Sequence, residues 1–205
     1  HDLIKEYMTK HQRIIFNGNG YSDEWVAEAE RRGLPNIKSM VEATETLTTD
    51  KAVRLFEKFH IFTKAELESR EEVLYETYAK SINIEALTMI DMASKQLIPA
   101  VVKYTRSLAD TVSAVKAAGA DASVQTDMLT ESTALLKDAK AALTKLVSDQ
   151  AAAVAMEAGK AQAFFYKDTI KADMDALRAP IDKLEMIVDK DMWPMPSYGD
   201  LMFEV

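Results

Sequence analysis

The sequence predicts a mainly α fold: an elongated helical bundle built on a long helical hairpin, with a small irregular N-terminal subregion and an extended C-terminal tail. Three observations predict it. The helix breakers sit at the ends of the 205 residues. Gly18, Gly20, Gly33 and Pro35 crowd the start and Pro194, Pro196 and Gly199 the finish, with only Pro99, Gly119, Gly159 and Pro180 between. Apolar residues recur at helical spacing from Leu67 through Leu74, Tyr78, Ile82, Met89, Ala93, Leu97, Val101, Tyr104, Leu108 and Val112 to Val115. Ile170, Met174, Leu177, Ile181, Leu184 and Val188 then alternate gaps of four and three, the spacing of helices packed side by side.

The elements follow in order. Leu3, Ile4, Tyr7 and Met8 form one stripe of an opening amphipathic helix. The chain starts inside that helix without an initiator methionine, so it is expected to be part of something longer. Arg13-Ile14-Ile15-Phe16 is a short β-like run, and Asn17-Gly18-Asn19-Gly20 is a turn, since Asn and Gly both tolerate positive φ. Ser22-Asp23-Glu24 opens a helix with a capping hydroxyl and acids in its first turn, and Gly33 ends it after Arg31 and Arg32. Short helical pieces are expected at about 39–44 and 50–60.

Thr63-Lys64-Ala65-Glu66 is a capping box. An unbroken helix over 64–118 would run roughly 80 Å at 1.5 Å per residue. A compact sphere of this chain length is only about 43 Å across. Either Pro99 kinks the helix or the molecule is elongated, and a modest kink with an elongated shape is expected. The return limb covers about 124–190, with Gly159 separating two helices and Pro180 bending the second. Its alanines, among them Ala139, Ala142, Ala151, Ala152, Ala153 and Ala158, favour helix and close approach. The organisation is therefore short helices and the turn over 1–62, a long antiparallel bundle over 63–192 and a docking tail over 193–205.

Composition excludes several chemistries. The chain has no cysteine, so no disulfide, thiolate metal site or cysteine nucleophile. His1, His11 and His60 cannot form an H-x-x-x-H zinc pair. The 33 acids against 25 bases leave −8, which argues against nucleic acid and anionic membranes as partners. No signal peptide or membrane span is visible, and cytoplasmic location is the default.

The remaining candidates favour structural readings. The Asn17–Gly20 loop feeds a helix N-terminus that could attract an anion, but it lacks the P-loop and dinucleotide patterns and reads as a turn. Ser22 reads as a cap, since there is no G-x-S-x-G elbow. Glu85 and Asp91 read as carboxylates sharing a helix face, a pairing common by chance among 33 acids. His60 reads as a helix-end residue. Met89, Met128 and Met174 fall on apolar stripes and read as core rather than an adaptable binding surface. Trp193-Pro194-Met195-Pro196-Ser197-Tyr198-Gly199-Asp200-Leu201 reads as non-helical, and with Leu201-Met202-Phe203-Glu204-Val205 it is an apolar tail suited to docking on its own or a neighbour's surface. No catalytic, cofactor-binding or metal-binding residue is assigned.

Arg13-Ile14-Ile15-Phe16-Asn17-Gly18-Asn19-Gly20-Tyr21-Ser22-Asp23-Glu24-Trp25 resembles a signature stretch in the C-terminal part of type III glutamine synthetases. Ile82-Asn83-Ile84-Glu85-Ala86-Leu87-Thr88-Met89-Ile90-Asp91-Met92-Ala93, Phe164-Phe165-Tyr166-Lys167-Asp168-Thr169 and the Trp193–Leu201 segment are similar to that family too. Pro180 departs from the expected pattern. The resemblance implies a parent ligase that joins glutamate and ammonia using ATP and magnesium or manganese, assembled as a large double-ring homo-oligomer. It also implies that the catalytic residues lie in an upstream domain, with no cofactor held by this chain. The chain would then be a non-catalytic helical domain that shapes or braces the oligomer. The alternative is a freestanding helical-bundle interaction or sensor module with no catalytic activity.

Overall fold

The computed structural model describes residues 1–203; Glu204 and Val205 lie outside the described residues. Its helices are α1 (Asp2–Lys10), α2 (Asp23–Arg31), α3 (Met40–Thr44), α4 (Asp50–Lys58), α5 (Lys64–Met92), α6 (Ile98–Ala117), α7 (Ser123–Ala155), α8 (Lys160–Phe165), α9 (Lys171–Glu185) and α10 (Tyr198–Phe203). No strand occurs among the described residues.

The capping box starts α5 as expected: the Glu66 amide donates to Thr63 Oγ1 and the Glu66 carboxylate accepts from the Thr63 amide at 2.7 Å. α5 passes through a π-helical segment, Ala93–Leu97, into α6, giving 54 consecutive helical positions. Pro99 follows that segment directly. In an α-helix its ring would strike the Lys95 carbonyl, which would also lose its donor. Here the Ile98 amide instead donates to Ala93, five residues back, so the wider turn takes up the proline without breaking the helix.

The chain then folds back twice. Gly119, at φ +76, closes α6 and turns into α7, and Gly159, at φ +132, separates α7 from α8 in the expected position. α8 joins α9 through a second π-helical segment, Tyr166–Ile170. Pro180 is buried inside α9 and does not end it. α7 packs against both α6 and α9, making an up-down-up bundle of three long limbs. Its core joins Ile82, Val101 and Tyr104 from the first limb, Leu143 and Leu146 from the second, and Tyr166, Ile170, Leu177 and Leu184 from the third.

The short helix α3 packs on α5 and α8, and α4 on α5. Val41 of α3 is buried against Tyr75 and Ala163. Lys167 donates to Glu42 at 2.7 Å and Lys160 pairs with Glu45, fastening this layer to the third limb. The molecule exposes 14260 Å², whereas a compact protein of its mass exposes about 9,600 Å². The excess is the signature of an elongated shape, as the helix length required.

Two local expectations change. Arg13–Phe16 is not a strand: Gln12–Ile14 is a 3-10 turn, and the Arg32 guanidinium captures the carbonyl of Ile15 at 2.6 Å and those of Gln12 and Arg13 at 3.4 Å. The tail is not wholly extended either. Residues 193–197 are non-helical, but Ser197 caps α10, its hydroxyl accepting from the Asp200 amide while the Asp200 carboxylate accepts from the Ser197 amide. Both prolines precede the helix, where they break nothing.

Candidate functional site

The Asn17–Gly20 loop is a built turn. Asn19 Oδ1 accepts from the Tyr21 amide at 3.0 Å, and Ser22 Oγ accepts from the Trp25 amide, the cap read from sequence. Phe16 stacks on Trp25 with ring centroids 4.4 Å apart, and Arg32 lies over the same indole. Gly18 is required here by space rather than by positive φ, since a Cβ would come within 2.6 Å of the Phe16 ring. Arg31, then Arg32, hydrogen-bond Glu28 and hold its carboxyl down at about 2. Tyr21 stands fully exposed at the tip of this knob.

Glu85 and Asp91 do not converge. Six residues turn a helix by about 600°, which leaves them about 120° apart, and Asp91 pairs with Lys95 instead. His60 takes φ 53 just past α4. The His60 amide bonds to Glu57 and the Ile61 amide to Phe56, which closes the helix in the Schellman manner and makes His60 a cap. Met89 and Met174 pack against the core. Met128 is partly exposed, because α6 and α7 run past the third limb as a two-helix tip.

One polar cluster was not singled out in the sequence. Asp173 of α9 is 5% exposed, and its Oδ1 accepts from Lys145 of α7 at 2.5 Å while Oδ2 has no partner. Lys145 also reaches Asp149 at 2.7 Å. Burial pushes the Asp173 carboxyl up, and Lys145 pulls Asp149 down. The signal was present: Asp173 lies three residues after Ile170 and four before Leu177, on the apolar stripe itself. A raised carboxyl contributes stability that is complete below the ordinary aspartate range and is lost as pH rises through the raised value. Asp173→Asn keeps an acceptor for Lys145 and removes that loss. Stability at pH 7 should stay level or rise by about 1 kcal/mol, with a flatter pH dependence in urea titrations from pH 4 to about 8. A drop of several kcal/mol would contradict this.

What the surface offers is docking. α1 buries none of its residues, and Leu3, Ile4, Tyr7 and Met8 are each more than half exposed on one face. An apolar groove of about 510 Å³ lies between α4 and α5, lined by Leu47, Phe56, Phe62, Leu67, Val73 and Leu74, with Arg70 at its edge. Trp193 and Met195 pack onto the bundle, whereas Tyr198, Leu201, Met202 and Phe203 are exposed. Among the described residues no three His, Asp or Glu side chains converge as a metal site, so the residues present do not fit an ATP–metal centre. No helix is long and apolar enough to cross a membrane.

Fold and surface together define an all-helical domain equipped for contact rather than bond chemistry. Residues 1–116 match the family model described as "Glutamine synthetase C-terminal domain", and the chain belongs to that family. It is 36% identical over 206 residues to a "Glutamine synthetase" of Butyrivibrio fibrisolvens, covering 100% of this chain and 29% of the relative. It is 32% identical to a "Type-3 glutamine synthetase" of Dictyostelium discoideum, covering 98% of this chain and 28% of that protein. A "Glutamine synthetase" of Bacteroides fragilis (strain YCH46) matches at 32% with the same coverages. The chain thus spans under a third of the length of these relatives, and the type III resemblance read from its motifs agrees with them.

Proposed function

We propose that this chain is the non-catalytic helical arm of a glutamine synthetase. Its parent joins glutamate and ammonia using ATP with magnesium or manganese in an upstream catalytic domain. The arm braces a cytoplasmic, double-ring homo-oligomer of that parent. The observation that carries the reading is the unburied apolar face of α1 beside a bundle with its own complete core. A free-standing bundle gains nothing from a four-residue apolar stripe in water, whereas a bracing domain needs one. The relatives support the reading, because the matching region is only part of proteins named for the ligase.

An assay of the isolated chain with glutamate, ammonia, ATP and magnesium or manganese tests where the chemistry lies. No glutamine formation above the protein-free blank is expected. Sustained turnover would place catalytic groups here and overturn the proposal.

A further inference from the structure

We propose that the apolar groove between α4 and α5 receives helix α10 from a second copy of this chain. Three observations on the groove and the tail converge. The groove is apolar except for Arg70, which lies over the Phe62 ring at 4.2 Å and has no carboxylate within ion-pair distance among the described residues. It therefore suits an apolar segment carrying negative charge. The tail is such a segment: Tyr198, Leu201 and Met202 fall at i, i+3 and i+4 on one face of α10, all largely exposed. Its charges over 197–204 are Asp200 and Glu204, with no base.

Reach decides whose tail it is. The Asp189 carboxylate acts on the Tyr104 hydroxyl, so the tail departs beside Tyr104. Arg70 lies 34 residues back along the same long helix, roughly 51 Å away. From Asp189 to Trp193 the chain is turned on itself by hydrogen bonds to the Asp189 carbonyl. The eight steps from Trp193 to Leu201 add at most about 27 Å even when fully extended. The tail of the same chain cannot reach the groove; that of another copy can. The contact is heterologous, groove to tail, so it is made reciprocally in a pair or passed around a ring. It concerns copies of this chain and holds or fails whether or not the chain serves a ligase.

The absence of cysteine makes the test direct. Leu201→Cys with an affinity tag is mixed with untagged Val73→Cys and treated with a short bis-maleimide; both positions are exposed, and circular dichroism checks that each variant keeps its helix content. The expected result is capture of the untagged chain in a product of twice the chain mass. Adding Arg70→Glu to the Val73→Cys partner should lower its yield about tenfold. No cross-linked product from the mixture overturns the proposal. So does a doubly substituted chain that links within itself at a yield independent of concentration, since that would seat the tail in its own groove.

Discussion

Replacing Tyr166 with alanine is expected to lower the unfolding free energy by about 3–5 kcal/mol, the range for emptying a buried aromatic site. Tyr166 is 2% exposed and the largest of the fully buried side chains. It opens the π-helical segment of the third limb, which packs against both α5 and α7, so its loss removes contacts to all three limbs at once. The π segment is flanked by helix on both sides and has little freedom to collapse into the space. Tyr198→Ala is the matched control: that ring is 85% exposed and its removal should stay within about 0.5 kcal/mol. Urea titrations followed by circular dichroism measure both. Equal effects would show that the core does not pass through Tyr166.

Ala153→Leu is expected to cost about 1–3 kcal/mol by overpacking, possible relief by movement being small in a close-packed interior. Ala153 is fully buried near the end of α7, in the core cluster with Tyr166 and Ala86. Its neighbour Ala152 faces solvent, and Ala152→Leu should change stability by no more than about 0.5 kcal/mol. The pair separates the two contributions alanine makes in this limb. Helix propensity is nearly the same for both substitutions, so a difference between them measures close approach alone. Comparable midpoints for the two variants in the same titration would contradict the packing assigned to the limb.

Much of this architecture was legible because it rests on local rules. The Thr63–Glu66 box, the Ser22 cap and the breaks at Gly33 and Gly159 need only residue types at short spacing, and each sits where those rules put it. The long helix followed from periodicity, and elongation followed from its length. What was not legible depends on distant partners. Arg13–Phe16 carries β-branched and aromatic residues, yet a strand needs a neighbour to pair with. Arg32, far along the chain, takes its carbonyls instead. Pro99 signalled a kink, but the choice of a π turn comes from the continuous packing on either side of it. Asp173 was hidden in plain view on an apolar stripe, since only the fold brings Lys145 to it from α7. The tail helix was missed because Pro194 and Pro196 were read as spoiling all that follows, when Ser197 restarts the chain.

The site reads the same way. Every candidate drawn from sequence resolved into a cap, a turn or a core position, and the exposed apolar faces of α1 and α10 are what remain to be explained. Bracing of a larger assembly accounts for both. The most direct measurement is light scattering on the full-length protein beside a version lacking residues 1–205. The account predicts that the intact protein runs as a large oligomer and that the shortened one falls to smaller species. A shortened protein that keeps the full assembly mass would contradict it.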